Sequence, residues 1–396
     1  MKCDFKTAPD RSKMGSSKWL QMQDWNPDVA PGIIPFSVAD MELKHPPQLI
    51  EGLKSYLDEA ILGYTQPTDS YYDALASWLK RRHNWEIDKD WVVFTPGVVF
   101  AFFEAIKAFT EPGDGILVAT PAYYPFYMAI EQGGRKLVDS PLVPDDKGVY
   151  HIDFEDLEAK AKDPATKLML FCSPHNPISR VWTRDELERV GRICMDNGVL
   201  VLSDEIHFDF VMPGHKHTVF ATLSEEFRDN CIVCTAPSKS FNLAGMQCSN
   251  IIIPNEKIRT TYKDYLLTHA MGKSLNIMAY KACELAYSEC EDWLDALLLH
   301  IEDCAEAITT YCAENLPKVK VTPLEGTYLL WMDFRAYGLS NEALEQIMHM
   351  EAQVFMDEGY VFGPTGDGFE RINLAAPKKD LLDAMGRIKN AMSQYE

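Results

Sequence analysis

The sequence predicts an α/β fold, with a large domain whose mostly parallel sheet is flanked by helices and a smaller α+β domain after it. Three observations carry this. Apolar runs at 91–94, 116–119, 168–172, 199–202, 231–234 and 250–253 read as strands, several without polar alternation, as expected where helices cover both faces of a sheet. Helical patterns lie between them, and strand and helix in turn imply right-handed crossovers in a parallel sheet. After about residue 276 the pattern changes to long helices and a few strand-like runs, and 396 residues exceed one ordinary core.

Taken in order, residues 1–48 form an irregular lead segment with Pro9, Pro27, Pro31 and Pro35, expected to pack with the small domain. It contains two distinctive phrases, Ser17-Lys18-Trp19 and Ser37-Val38-Ala39-Asp40-Met41-Glu42. The large domain is expected to span 49–290. It opens with a helix from Pro47 that brings Leu49, Ile50, Leu53, Tyr56 and Leu57 to one face, then a helix over 72–83. Lys80, Arg81 and Arg82 fall in the last turn of the second, where cations suit the helix dipole. Helices are expected at 98–109, 124–132, 184–197 and 257–267, with stops at Glu111-Pro112-Gly113-Asp114 and Asn197-Gly198. Two long helices, 278–290 and 293–315, lead into the small domain, 291–396. There the patterns predict strands at 318–322 and 327–334 and helices at 341–358 and 379–392.

Composition narrows the functional classes. A hydrophobic content of 46% with 24% charged residues is that of an ordinary globular protein. A net charge of -21 without clustered Lys or Arg argues against nucleic acid as a partner. No apolar run reaches membrane-spanning length, and residues 1–15 carry no signal or transit pattern, so a cytoplasmic protein is expected. Ten cysteines without framework spacing read as buried thiols. Cys231 and Cys234 form a C-x-x-C, but it lies inside a strand run with no second ligand pair, which disfavours zinc or redox chemistry.

Ligands of open α/β sheets sit beyond the carboxyl ends of the strands, so the residues that follow each run are the candidates. After 231–234 comes Thr235-Ala236-Pro237-Ser238-Lys239-Ser240. A lysine in such a semi-enclosed place loses hydration, and the neutral amine this favours condenses with an aldehyde to a Schiff base. Gly97, Val98 and Val99 open a helix whose free N–H groups suit a phosphate. Tyr123 is placed to stack on a planar ring, and the Asn176 amide to donate to a phenolate oxygen. The run 199–202 ends in Ser203-Asp204-Glu205-Ile206-His207, two acids where an unpaired charge is expensive. A metal held by Asp204 and His207 with His215 or His217 is one reading. A protonated ring nitrogen held by Asp204 explains the burial better, and no metal is expected.

The order Gly97, Tyr123, Asn176, Asp204, Lys239, Arg371 resembles that of the fold-type I pyridoxal 5'-phosphate enzymes, the aspartate aminotransferase superfamily, over nearly the whole chain. Ser17-Lys18-Trp19, Val38-Ala39-Asp40-Met41, Asp204-Glu205-Ile206-His207 and Phe362-Gly363-Pro364-Thr365-Gly366 before Arg371-Ile372-Asn373 resemble the MalY/PatB group of C–S β-lyases. The resemblance implies pyridoxal 5'-phosphate as cofactor and Lys239 as its anchor and later general base. It implies Asp204 on the ring nitrogen, Ser238 with the 97–99 amides on the phosphate, and Arg371 on the substrate carboxylate. Two positions depart from many superfamily members. His207 stands where a tyrosine binds the cofactor's O3′, which predicts a more pH-sensitive activity, and Gln247 stands where an arginine binds the phosphate. Tyr64 resembles the tyrosine that a neighbouring subunit supplies, implying a homodimer. The expected activity is cleavage of cystathionine or a related S-substituted cysteine to thiol, pyruvate and ammonia. The same residues serve an aminotransferase, and a non-catalytic regulatory or binding protein is the alternative of another class.

Overall fold

The computed structural model describes residues 3–270 and 274–395. Its centre is a seven-stranded sheet built from β1 (Val92–Thr95), β2 (Gly115–Thr120), β3 (Lys136–Pro141), β6 (Thr166–Cys172), β7 (Leu200–Asp204), β8 (Cys231–Thr235) and β9 (Ser249–Ile252), with β4 (Val143–Pro144) and β5 (Tyr150–His151) forming a small separate hairpin. The spatial order is β1-β9-β8-β7-β6-β2-β3. β9 pairs antiparallel with both β1 and β8, whereas the β2–β3, β2–β6, β6–β7 and β7–β8 ladders are parallel. The six expected strands are all present. β3 was not expected, because it is a polar edge strand whose Leu137 faces outward and which lacks an apolar run.

Both faces of the sheet are covered, which is why its strands lack polar alternation. Ile116, Val118, Leu168, Leu170, Ile232 and Ile251 enter one apolar core, and Leu117, Met169, Val201, Val233 and Ile252 enter the other. Cys231 and Cys234 fall in different cores, three residues apart on one strand, so their thiols point to opposite faces and cannot share a ligand. The helix Val98–Phe109 buries Val98, Ala101, Phe102, Ala105 and Ile106, a 3-and-4 spacing along one stripe. The helix Arg184–Asp196 starts at a reciprocal cap, Thr183 accepting from the Glu186 N–H while the Glu186 side chain accepts from the Thr183 N–H.

A second, four-stranded antiparallel sheet has the order β10-β11-β13-β12, from β10 (Lys320–Val321), β11 (Leu329–Asp333), β12 (Asp357–Glu358) and β13 (Phe369–Asn373). Here one expectation fails. The helix predicted over 341–358 is α-helical only over Asn341–Gln346, continues as a π-helical turn at Ile347–Ala352 and stops at Gln353, whose φ is 50°. Leu344, Ile347, Met348, Phe355 and Met356 keep a helical spacing, but tertiary pairing overrides it: the Phe355 carbonyl accepts from the Phe36 N–H at 2.7 Å, and β12 pairs with β13.

The lead segment is more ordered than its prolines predict. Ser17–Trp25 is a helix, and its Lys18, only 1% exposed, places Nζ 3.0 Å from both Asp40 Oδ1 and Glu42 Oε1 and donates to the Asp40 carbonyl at 2.9 Å. Arg11 bonds the same two carboxylates from outside, and the Trp19 indole N–H donates to Glu42. Because Glu42 is itself 1% exposed, removing its buried cation leaves a charge that water cannot reach. Lys18→Ala is therefore expected to lower stability by about 3 kcal/mol, read as a lower urea midpoint at unchanged slope; an unchanged midpoint would show that Arg11 alone neutralises the pair.

Candidate active site

The carboxyl ends of β1, β2, β6, β7 and β8 lie along one edge of the large sheet, and the amino end of the reversed β9 lies there too. Along that edge opens a cavity of about 270 Å³. It is lined by Gly97, Val98 and Val99 beyond β1, Tyr123 beyond β2, Asn176 beyond β6, Asp204 and His207 at and beyond β7, and Ser238 and Lys239 beyond β8. Gln247 and Ser249, at the start of β9, complete the wall.

Lys239 rides on the short helical turn Pro237–Ser240. Its Nζ donates to the Ala39 carbonyl at 2.8 Å, and the Tyr328 hydroxyl donates to the same oxygen at 2.8 Å. Burial, then the nearby Arg371 charge, lowers the ammonium to about 8. The turn is also held from behind. Ser240 Oγ donates to Asp209, whose Oδ1 accepts from the Trp78 indole at 3.2 Å and faces His83 Nε2 at 2.8 Å.

Asp204 is 3% exposed, and burial pushes its carboxyl up to about 7 even though the Ile206 N–H donates to it and Lys239 lies near. A cation or N–H donor placed against it would restore the ionised form. Burial first, then the charges of Lys239 and Arg371, hold the His207 imidazole well below its usual range, which favours the neutral ring and runs against the expected pH sensitivity. Its buried Nδ1 has no hydrogen-bond partner. At the opposite end of the cavity Gly97 has φ 124°, a conformation suited to glycine, and turns the chain into the helix Val98–Phe109 with its first N–H groups free. Ser249 Oγ, buried in the same wall, also has no partner.

Arg371, 2% exposed on β13, does not line the cavity itself. It reaches the site through Asn176, whose Oδ1 accepts from Nη1 at 2.7 Å, while Nη2 bonds Asp357 on the neighbouring strand and the guanidinium lies 4.6 Å over the Phe362 ring. Because the Asn176 oxygen is engaged, its NH₂ is the end left to donate. Tyr64 is fully exposed on the connection between the helices Pro47–Glu59 and Asp69–His83, away from the cavity.

Three groups at the site escaped sequence reasoning. Asp357 accepts from both Arg371 and the Val38 N–H, the latter at 3.0 Å. Tyr328 is a buried aromatic in a strand-like run, with nothing in the sequence to mark it apart. Ser249 opens β9, and only the reversal of that strand brings it to the catalytic edge.

Comparison with known proteins agrees with this geometry. Residues 31–388 match the family aminotransferase class I and II. The chain is 44% identical to cystathionine beta-lyase PatB of Bacillus subtilis over 91% of its own length and 92% of that protein's, and 32% identical to protein MalY of Escherichia coli over 98% of each. The crystal structure of cystalysin from Treponema denticola, which contains a pyridoxal 5'-phosphate cofactor, superposes with a TM-score of 0.98 at 46% identity and covers both chains completely. The chain thus belongs to the aminotransferase class I and II family, with PatB and MalY among its relatives.

Proposed function

We propose that this protein is a pyridoxal 5'-phosphate-dependent carbon–sulfur β-lyase acting on cystathionine or a related S-substituted cysteine. The observation that carries the reading is one small cavity facing both a lysine whose amine is lowered to about 8 and a buried carboxyl raised to about 7. The polar groups without partners fit the cofactor. A carboxyl short of a cation suits a protonated ring nitrogen, and the free N–H groups at Gly97–Val99 with Ser238 and Ser249 suit a phosphate. His207 and the Asn176 NH₂ are donors for a phenolate oxygen. Gln247 brings no charge to the phosphate end, so neutralisation there rests on the helix dipole and N–H groups.

When bound, pyridoxal 5'-phosphate supplies an electron sink for charge that develops at the substrate Cα. Lys239 would hold the cofactor through its Nζ and, as a free amine, could take the Cα proton, a role for which an amine near pH 8 is well matched. Asp204 would hold the protonated ring nitrogen. Arg371, oriented by Asn176 and Asp357, grips the substrate carboxylate with the donors left to it. The overall change would be cleavage of the Cβ–S bond with uptake of one water, giving thiol, pyruvate and ammonia.

Lyase and transaminase use the same residues, so the keto-acid requirement separates them. Incubation with cystathionine and no added keto acid is expected to release thiol and pyruvate in equal amounts; product only after a keto acid is supplied would overturn the lyase in favour of an aminotransferase.

The Lys239 pKa has a direct consequence. An amine lowered to about 8 is protonated, and unreactive toward an aldehyde, below that pH and neutral above it. When the protein is stripped of cofactor and reloaded, colour should return faster with rising pH up to about 8 and level off beyond it. A rate still climbing past pH 10, where an ordinary lysine titrates, would contradict this burial effect, and colour binding by Lys239→Ala with unchanged absorbance would remove Lys239 as the anchor.

A homodimer belongs to the same reading. Ile61 and Leu62, 88% and 68% exposed, precede the exposed Tyr64 on a connector whose Gln66 donates to Ser274 but whose apolar residues stay open, which supports burial of that apolar stretch against a second copy. The ten unpaired cysteines support a reducing cytoplasm. Light scattering should give twice the chain mass, and Ile61→Asp should shift it toward one; a single-chain mass for the wild type at micromolar concentration would refute the shared site.

A further inference from the structure

One oxygen in the cavity wall receives two donors. The Ala39 carbonyl accepts from Lys239 Nζ and from the Tyr328 hydroxyl, each at 2.8 Å. The Tyr328 ring is wholly buried and is held by two side chains of the segment that follows β7, in T-shaped contact with Phe210 at 4.8 Å and with His207 at 5.8 Å. Its backbone is fixed as well, since the Tyr328 carbonyl accepts from the Leu374 N–H at 2.8 Å.

Both ends of the Tyr328–Ala39 bond follow a strained residue. Val38, before Ala39, has φ 55°, and Thr327, before Tyr328, has φ 66°. Both are β-branched, and such side chains rarely adopt this region. Thr327 is kept there by its N–H, which donates to the Phe210 carbonyl at 3.0 Å, and by its hydroxyl, which accepts from the Leu329 N–H at 3.1 Å. At Gly326, one residue earlier, an added Cβ would stand 2.6 Å from Val181 and 2.8 Å from the Phe210 carbonyl oxygen, so the turn has no room for a side chain. Satisfying a buried hydroxyl and a buried carbonyl needs no such strain. Backbone outliers that their surroundings over-determine cluster at functional positions, and here two of them bring one hydroxyl to the oxygen on which the reactive amine rests.

We propose that Tyr328 is a positioning residue for Lys239 that acts through the Ala39 carbonyl, fixing the oxygen on which the free amine rests and withholding one of its lone pairs from that amine. The inference rests on the reading of Lys239 as the cofactor anchor. A carbonyl oxygen has two lone pairs. With one given to Tyr328, the oxygen stabilises an ammonium less, and the balance moves toward the neutral amine that attacks an aldehyde. Burial holds the Tyr328 hydroxyl well above its ordinary range, so it keeps the proton it donates. The charged groups that face Lys239 are Arg371 on β13, Asp40 in the lead segment, Asp204 at the end of β7 and Asp357 on β12, beside the neutral His207. Tyr328 itself faces Asp40, Arg371 and Tyr123 but shares a hydrogen bond with none of them, so removing its hydroxyl leaves those groups in place.

The test follows the return of colour when pyridoxal 5'-phosphate is added to cofactor-stripped wild type and Tyr328→Phe at a series of pH values. Without the hydroxyl, the midpoint of the rate profile is expected to move up by about 0.5–1 in pH. The variant then reloads about three- to tenfold more slowly than wild type near pH 7 and at the same rate near pH 10, where both amines are neutral. A hydroxyl with only a structural role would lower the thermal midpoint and slow reloading equally at every pH, or leave reloading unchanged; either result overturns the proposal. Tyr328→Met is a second donor-free variant should Tyr328→Phe fail to fold. A wild type that takes up no colour overturns the cofactor reading and this inference together, whereas a wild type that reloads beside variants with an unchanged pH profile removes Tyr328 alone.

Discussion

The structure depends on holding an amine and a carboxyl out of water at the same sheet edge. Lys239 and Asp204 are each displaced toward the neutral form by burial, so each favours a ligand that supplies a complementary charge or hydrogen bond. The sheet makes this possible. β7 and β8 are central strands buried on both faces, and their carboxyl ends deliver two polar groups into a volume walled by the helix Val98–Phe109 and by β9. Cofactor binding and stability are linked through these groups, because whatever satisfies Asp204 binds only the folded chain.

The lead segment closes the other side of this arrangement at some conformational expense. Val38 is a β-branched residue at φ 55°, a geometry that costs about 1–3 kcal/mol and persists only where neighbours over-determine it. They do so here. Asn373 donates to the Val38 and Asp40 carbonyls, Asp357 accepts the Val38 N–H, and the Asn242 amide bonds both the N–H and the carbonyl of Met41. The outcome is a fixed Ala39 carbonyl aimed at Lys239. Lys18, Asp40 and Glu42 form the foundation of that loop, which connects a buried ion cluster in the lead segment to the position of the reactive amine.

Much of this was legible in the sequence, and the limits have a physical pattern. Strand runs, the glycine turn at Gly97 that opens a helix, and the polar residues that end β6, β7 and β8 are local features, so apolar period and position after a strand reveal them. Asp357 was not legible, because its importance comes from facing Arg371 across a two-residue ladder and from capturing Val38 319 residues away in sequence. The overextended helix after Asn341 failed for the same reason, since its apolar spacing stayed helical while backbone pairing with Phe36 and β13 decided otherwise. His207 lies in the cavity wall, yet its charge state depends first on burial and then on Lys239 from the turn after β8 and Arg371 from β13, which no local reading contains.

On the proposed reading Lys239 serves as an anchor and then as a base, two duties with different reach, which asks for a fixed turn beneath a side chain that moves. The geometry separates the two. Ser240, next in sequence, points away from the cavity into Asp209, and Asp209 is held by Trp78 and His83 on the helix Asp69–His83. His83 in turn stacks on Phe208 at 4.0 Å, one residue after His207 in the cavity wall. The backbone at 239 is thereby tied through Ser240 and Asp209 to a helix that packs outside the sheet, while the lysine side chain extends into the cavity. On that reading the amine that rests on the Ala39 carbonyl can reach a substrate by side-chain rotation alone, with the backbone around Asp204 and Gly97 left in place.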